Sequence, residues 1–244
     1  MSNPLRIAMW SGPRNISTAM MRAWENRGDT AVWDEPLYAF YLARTRIEHP
    51  GAEEVIAAGE TDWQRVVAAL TGPVPGGKPI FFQKHMTHHL LDEVDRQWLA
   101  EMRNCFLIRD PREVIASYAR TRPEVTLGDV GVLQQAEIFA FVRGLGGTSP
   151  LILDSRDVLE DPRGLLGALC AALDVPFSDR MLSWPAGARS SDGVWARYWY
   201  DAVYASTGFA PYVSKAHTLP RRLEPLAEEC EPHYRKLYEQ RLRP

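Results

Sequence analysis

Residues 5–24 have the sequence LRIAMWSGPRNISTAMMRAW, which contains the signals of a strand, a loop and a helix in that order. Leu5 to Trp10 is a short apolar run followed by Ser-Gly-Pro, which is typical of a buried strand entering a loop. The segment from Ser17 to Trp24 favours a helix with hydroxyl side chains in its first turn. This unit predicts the start of an α/β fold.

Further apolar segments along the chain predict four more strands, with helices between them. The predicted strands are residues 30–33, 79–83, 105–108 and 151–154. The predicted helices are residues 37–46, 63–70, 95–102, 111 to about 121, 126–143 and 165–173. An aromatic-rich helical part follows, and a charged helix starts at Glu224. Residues 47–62 are polar and are predicted to be broken. Strands that alternate with helices imply crossover connections, a mostly parallel central sheet and helices on both faces. We therefore predict one α/β domain over residues 1–244.

The amino-acid composition limits the classes of partner that the protein is expected to bind. The chain has 244 residues, of which 45% are hydrophobic, so it can bury a sizeable core. Its net charge of -3 gives no reason to expect nucleic acid. We find no signal peptide and no apolar run approaching the ~18 residues of a membrane span. We predict a cytoplasmic protein with no membrane or nucleic-acid partner and with its three cysteines buried as free thiols; its oligomeric state stays open.

The loop after the first strand has the composition of an anion site. Ligands of open parallel sheets bind at the carboxyl ends of the strands, where a helix N-terminus attracts anions. Here Arg14 offers a guanidinium, Ser17 and Thr18 offer hydroxyls, and several backbone N–H groups converge, which suits a phosphate or sulfonate. The loop fits neither GxxxxGK[ST] nor GxGxxG. The alternative is an ordinary turn capped by Ser17.

The segment after the fourth strand offers a second anion site. Its sequence is RDPREVIASY, residues 109–118, with Pro111 suited to a first helical position. At a rise of about 1.5 Å per residue, two helical turns separate Pro111 from Ser117, so Arg109 and Ser117 could grip one anion. The alternative is a solvated helix start with a local ion pair.

Together, these two segments resemble the sulfotransferase superfamily that uses 3′-phosphoadenosine-5′-phosphosulfate (PAPS), and the chain looks like a bacterial sulfotransferase-like protein. Residues 13–18, Pro-Arg-Asn-Ile-Ser-Thr, are similar to the family's 5′-phosphosulfate loop, usually Pro-Lys-Ser-Gly-Thr-Thr, and residues 107–118 resemble its 3′-phosphate motif. The resemblance implies a P-loop-like, three-layer α/β/α fold. By this likeness, the 5′-phosphosulfate is held by Arg14, Asn15, Ser17 and Thr18, and the 3′-phosphate by Arg109 and Ser117.

Two later segments resemble the family more weakly. Residues 154–162 are similar to a Tyr-Glu-Asp-Met segment, with Ser155 where the family has a tyrosine that contacts adenine. Residues 193–199 are similar to a Gly-Asp-Trp-Lys segment, but the Arg-Lys-Gly ahead of it is absent and only Arg189 is nearby.

An acceptor hydroxyl also needs a general base, and the sequence offers two candidates. Glu35, in Asp34-Glu35-Pro36-Leu37, resembles the glutamate proposed as base in the carbohydrate-type branch; alternatively it only sits at a helix N-terminus. His85, after Lys84, resembles the histidine of the cytosolic branch; alternatively it is a structural histidine. Lys84 could help to bind the sulfonate or form a surface salt bridge. Arg14 is the candidate that supports the leaving phosphate.

For two other groups of side chains, the first interpretation is a structural role. The set His85, His88 and His89 lacks an evident fourth ligand, so we predict no metal. An aromatic cluster with helical spacing comprises Trp195, Tyr198, Trp199, Tyr200 and Tyr204. Its first interpretation is packing in the core, and its second is a cover over the acceptor or adenine pocket.

The prediction for function is an enzyme, a PAPS-dependent sulfotransferase that uses PAPS as co-substrate and a small-molecule hydroxyl or amine acceptor. The acceptor pocket is expected from residues around 37–63 and 121–135. The alternatives are an ATP-dependent small-molecule kinase, which the missing Gly-Lys pair disfavours, and a nucleotide-binding module without turnover.

Overall fold

The computed structural model describes residues 3–120, 124–213 and 219–243 and contains a five-stranded parallel sheet. The strands are β1 Leu5–Ser11, β2 Thr30–Asp34, β3 Ile80–Met86, β4 Arg103–Ile108 and β5 Leu151–Asp154, in the order β2-β3-β1-β4-β5. The predicted parallel sheet is thereby confirmed. Strand β3 continues past its predicted end at residue 83, which places Lys84 and His85 within the strand.

Helices cover both faces of the sheet. They are α1 Ser17–Asn26, α2 Tyr38–Thr45, α3 Ala52–Ala58, α4 Trp63–Thr71, α5 Pro111–Tyr118, α6 Leu127–Val130, α7 Val132–Gly144, α8 Ser155–Glu160, α9 Pro162–Ala172, α10 Ala196–Trp199, α11 Asp201–Tyr204 and α12 Glu224–Tyr238. Helix α3 lies in the segment predicted to be broken, and helix α8 was not predicted. The helix predicted over 95–102 is a short 3-10 helix, Gln97–Glu101. Residue 121, the predicted end of the helix that starts at Pro111, lies outside the described residues.

Alternation of side chains along each strand builds the two cores. In β1, Ile7 and Met9 pack on one face, together with residues of α1, α8 and α9. Ala8 and Trp10 pack on the opposite face with residues of α2, α4, α7 and α12. Side chains on the two faces of a strand alternate along the sequence. A strand that is buried on both faces therefore needs apolar residues at odd and even positions alike, and it appears in the sequence as a continuous apolar run. The predicted three-layer α/β/α arrangement is confirmed.

Other buried groups agree with the sequence interpretation. Cys105, Cys170 and Cys230 are buried free thiols, as predicted.

Across the described ranges, every helix falls short of the length and apolar character that spanning a bilayer requires.

The carboxylate of Asp154 makes stability depend on pH. Asp154, at the end of β5, is 1% exposed and accepts hydrogen bonds from the Tyr234 hydroxyl and the Arg156 backbone N–H, both at 2.8 Å. Burial raises the pKa of this carboxyl from 3.8 to about 6. Because the folded state then binds the proton more tightly than the unfolded state, this group favours folding below pH 3.8, and its contribution is lost as the pH rises through about 6.

The variant Asp154→Asn should therefore lose less stability than wild type between pH 4 and pH 7. At 1.36 kcal/mol per pKa unit, the difference over this pH range should be about 2.4 kcal/mol in the free energy of unfolding, measured by urea denaturation at several pH values. Equal slopes for wild type and Asp154→Asn would contradict this prediction.

Candidate active site

A cavity of about 490 Å³ lies at the carboxyl ends of the strands. Strands β2 and β3 lie on one side of β1 and strands β4 and β5 on the other, so the loop that leaves β1 is at the point where the strand order reverses. Described residues that follow or end all five strands contribute to the wall, among them Arg14, Glu35, Lys84, Arg109 and Leu159. The cavity therefore has a β2–β3 end and a β4–β5 end, with the β1 loop between them.

The β1 loop has a fixed and unusual backbone. Arg14 has a φ of 55°, in the left-handed region that residues with a side chain rarely adopt. The Asn15 side chain donates to the carbonyl oxygen of Leu107 at 2.9 Å and accepts from the N–H of Ile16 at 2.8 Å. The Asn15 side chain therefore holds the loop against β4. Because this side chain is already engaged, the predicted contact of Asn15 with the ligand would be made by its backbone.

The two predicted anion sites meet. Arg14 Nε donates to the hydroxyl of Ser117 at 3.0 Å, and Arg109 Nη1 donates to the carbonyl oxygen of Arg14 at 2.6 Å. Residues that are 95 and 103 positions apart in sequence are thus in direct contact along one cavity wall. The structure brings together the two segments that the sequence analysis treated as halves of one site.

Helix α1 begins at this point with open backbone donors. Its N-cap, Ile16, makes no side-chain cap, so a cap does not occupy the N–H groups of the first turn. Ser17 and Thr18 are 5% and 9% exposed and both contribute to the cavity wall. The hydroxyls and the N–H groups can therefore bind an anion beside the Arg14 guanidinium.

Arg109 is oriented by a carboxylate. Its Nε and Nη2 both contact Glu113 Oε2 at 2.9 Å, one turn along α5. Glu113 also accepts from the Tyr212 hydroxyl at 2.5 Å. This pair fixes the position of the guanidinium, whose side chain stays 28% exposed and so is accessible from the cavity.

The β2–β3 end of the cavity holds a buried charged group. Lys84 donates to Asp34 Oδ1 at 2.8 Å, to Glu35 Oε1 and to the Tyr200 hydroxyl at 3.1 Å, and the Tyr200 hydroxyl donates to Asp34 Oδ2 at 2.7 Å. Burial opposes the charge of Lys84, but Asp34 and then Glu35 outweigh it and hold its pKa well above the ordinary value. Lys84 therefore stays charged and holds Glu35 in place.

Glu35 presents one carboxylate oxygen away from Lys84. Its φ of 45° is again left-handed, which marks a strained residue next to the cavity. With Oε1 held by Lys84, Oε2 lies 3.9 Å from Nδ1 of His89. Burial raises the pKa of the Glu35 carboxyl, Lys84 opposes this rise, and Asp34 adds to it. A carboxylate with a raised pKa in a cavity wall is suited to accept a proton.

The structure does not bring His85 to this cavity. Successive side chains in a strand point to opposite faces, so His85 lies on the other side of β3 from Lys84. Its ring stacks on Trp10 at 4.4 Å and lies 5.8 Å from Trp98, and its Nε2 contacts the Gln83 side chain at 3.3 Å. Burial, helped by Lys84, lowers its pKa to about 3. The structural alternative for His85 fits this placement, whereas a role as general base does not.

Aromatic rings from three distant segments complete the β2–β3 end. The Tyr38 hydroxyl lies 2.7 Å from His49 Nδ1, and the His49 ring lies 5.3 Å from that of Trp199. His89 stacks on Tyr38 at 4.5 Å. No sequence motif singles out Tyr38 or His49, although both lie within the stretch 37–63 that was predicted to form the acceptor pocket. Of the other predicted stretch, residues 121–123 lie outside the described residues.

Some residues of the aromatic cluster line the cavity, whereas other residues of this cluster and of the two weaker motifs lie elsewhere. Trp199 and Tyr200 line the cavity, whereas Trp195 packs against Tyr38. Ser155 is buried at the start of α8, and Arg189 pairs with Glu25 away from the cavity. Over the described ranges, no group of three or more His, Cys, Asp or Glu side chains is arranged to hold a metal ion.

The fold and the site define a protein with a cavity at the carboxyl edge of a parallel sheet, lined by two arginines and by the Glu35 carboxylate. Residues 5–235 match the family described as "Sulfotransferase domain". The chain therefore belongs to the sulfotransferase domain family, which confirms the predicted family.

Similar proteins were found among curated sequences. Two from Arabidopsis thaliana, named branched-chain-amino-acid aminotransferase-like proteins 2 and 1, are each 33% identical, over 228 and 235 residues. The matches cover 93% and 96% of this chain but 40% and 42% of the relatives. The chain thus spans about two fifths of the length of these relatives.

Solved structures share the fold. The sulfotransferase domain of the Synechococcus PCC 7002 olefin synthase matches with a TM-score of 0.55 and 16% identity, covering 94% of this chain and 95% of that domain. A sulfotransferase from Alicyclobacillus acidocaldarius matches with a TM-score of 0.55 and 14% identity, covering 98% and 96%. At these identities the likeness concerns the fold, and it agrees with the predicted P-loop-like class.

Proposed function

We propose that this protein is a sulfotransferase that uses PAPS as donor and transfers the sulfuryl group to a hydroxyl of a small molecule. The observation that carries the proposal is the contact of Arg14 with Ser117 and of Arg109 with the Arg14 carbonyl oxygen. These contacts put two guanidiniums on one cavity, which suits a nucleotide with anionic groups at two positions.

The residues present fit that nucleotide. Arg109 and Ser117, at the β4–β5 end, would hold the 3′-phosphate, and Arg14 with the first turn of α1 would hold the 5′-phosphosulfate. Leu159, which follows β5, and Phe209 offer apolar cavity surface for the adenine, in place of the family's tyrosine. Glu35 and Lys84 are left for the acceptor at the β2–β3 end.

Transfer requires one proton acceptor and support for the leaving group. The acceptor oxygen attacks the sulfur, the bond from sulfur to the 5′-phosphate oxygen breaks, and adenosine 3′,5′-bisphosphate leaves with the bonding electron pair. Oε2 of Glu35 takes the hydroxyl proton. Arg14 stabilises the negative charge that develops on the leaving phosphate, and, as an arginine, it does so without giving up a proton. Lys84 orients Glu35; a contact with the sulfonate would compete with its three existing partners.

Incubation with PAPS and an acceptor panel, followed by mass spectrometry, tests this function. The proposal requires adenosine 3′,5′-bisphosphate and a sulfated product in equal amounts. Stabilisation against heat by the bisphosphate without turnover of any acceptor would favour the nucleotide-binding module. Stabilisation by ATP with Mg²⁺ but not by the bisphosphate would favour the kinase. A cytoplasmic location, a single domain over residues 1–244 and the absence of metal, membrane and nucleic-acid partners stay predictions.

A further inference from the structure

We infer that the acceptor is a ring-bearing alcohol or phenol that carries no negative charge, bound between Glu35 and the aromatic wall formed by Tyr38, His49 and Trp199. This inference rests on the proposed function, because it takes the β4–β5 end of the cavity to be filled by the nucleotide. It then follows from the charge and the shape of the β2–β3 end.

The charge of the β2–β3 end is negative. Asp34 and Glu35 contribute two carboxylates, and Lys84 is the cation that both of them engage. The other lysine or arginine side chains among the described lining residues are Arg14 and Arg109, which belong to the β1 loop and to the end of β4. An acceptor with a carboxylate or sulfate near its hydroxyl would thus lie next to Glu35 without a cation to pair with, and it would be repelled.

His89, the histidine beside Glu35, does not supply the missing cation. His89 lies beside Glu35, with its Nδ1 3.9 Å from Oε2, and this buried nitrogen has no hydrogen-bond partner. Burial and the neighbouring His88 and Lys84 hold the pKa of His89 well below its ordinary value, so the ring stays neutral. A neutral or positively charged acceptor is therefore favoured at this end.

The shape of this end suits a flat ring. Tyr38, His49 and Trp199 form a continuous wall, since each ring of the series contacts the next. Trp199 is 39% exposed at the cavity edge, and an exposed tryptophan on a concave wall is typical of ligand contact. An aromatic body packs well against such a wall, and a cationic group gains a further attraction to the ring faces.

Three phenols of similar size test the charge. Tyramine is a cation, tyrosol is uncharged and 4-hydroxyphenylacetate is an anion. We expect tyramine and tyrosol to bind the protein saturated with adenosine 3′,5′-bisphosphate at least tenfold more tightly than 4-hydroxyphenylacetate, as measured by calorimetric titration. Tighter or equal binding of the anion, or no binding of any of the three, would overturn the inference. Failure of the bisphosphate itself to bind, seen in the preceding titration, would instead overturn the proposed function.

A pair of neighbouring aromatic residues tests the wall. Trp199→Ala should lower the affinity for tyrosol at least tenfold and leave the affinity for the bisphosphate unchanged. Tyr198→Ala is the matched control, because Tyr198 is also 39% exposed but packs against Arg197 and is not among the cavity-lining residues. Equal effects of the two substitutions, or no effect of Trp199→Ala on tyrosol, would contradict the assigned wall.

Discussion

Glu35→Gln is expected to lower kcat by roughly two to four orders of magnitude, the range that a positioned general base contributes. The amide keeps the shape of the side chain and can still accept a hydrogen bond from Lys84, but it cannot take the proton of the acceptor. The affinity for adenosine 3′,5′-bisphosphate should stay within a few fold of wild type, because the proposed nucleotide contacts lie at the other end of the cavity. Steady-state turnover and calorimetry measure the two quantities.

Two further variants make this prediction specific. Glu54→Gln, which alters an exposed partner of Arg197, should leave kcat unchanged. His85→Gln changes a buried ring outside the cavity, so turnover per folded molecule should persist. Full activity of Glu35→Gln together with loss of activity in correctly folded His85→Gln would reverse the two assignments.

The pH profile follows from the same carboxylate. Glu35 acts as a base only when it is ionised, and burial raises its pKa above 4.5. Activity should therefore fall as the pH is lowered through a value above 4.5, and this acidic limb should disappear from the residual activity of Glu35→Gln. An unchanged limb in the variant would assign the titration to another group.

Arg109→Ala is expected to weaken the bisphosphate by roughly 10- to 150-fold, which corresponds to the ~1.5–3 kcal/mol of a hydrogen bond to a charged group. The loss arises because the guanidinium that faces the 3′-phosphate is removed, while Glu113 remains as a nearby negative charge. Calorimetric titration of the purified variant measures the change.

Arg112→Ala is the matched control for this arginine. Arg112 lies three residues further along the same segment, pairs with Glu224 and does not line the cavity. Its removal should change the affinity less than twofold. Unchanged affinity in Arg109→Ala, or an equal loss in both variants, would show that the 3′-phosphate is held elsewhere.

Much of this fold could be predicted because its strands are buried on both faces. Each strand is an apolar run bounded by polar or turn-forming residues, and the order of elements along the chain implies crossovers. The meeting of Arg14 with Ser117 also followed, since loops that leave β1 and β4 lie at the same edge of the sheet. These features depend on local sequence and on topology.

Other features depend on distances that local patterns do not contain. The sequence did not show where β3 ends, and a shift of one residue decides which side chain faces the cavity, so Lys84 and His85 could not be separated. The wall of Tyr38, His49 and Trp199 is assembled by tertiary packing from segments up to 161 residues apart. Helix α3 was missed because its polar first turn, with two glutamates, has the composition of a loop.

Titration of the protein with adenosine 3′,5′-bisphosphate and, in parallel, with adenosine 5′-monophosphate tests the central claim most directly. The two ligands differ by the 3′-phosphate alone, so the ratio of their affinities measures whether Arg109 and Ser117 act on the same nucleotide as Arg14. We expect one molecule of bisphosphate to bind per chain, at least tenfold more tightly than the monophosphate. Equal affinities, or no binding of the bisphosphate, would contradict a single nucleotide site built from both loops.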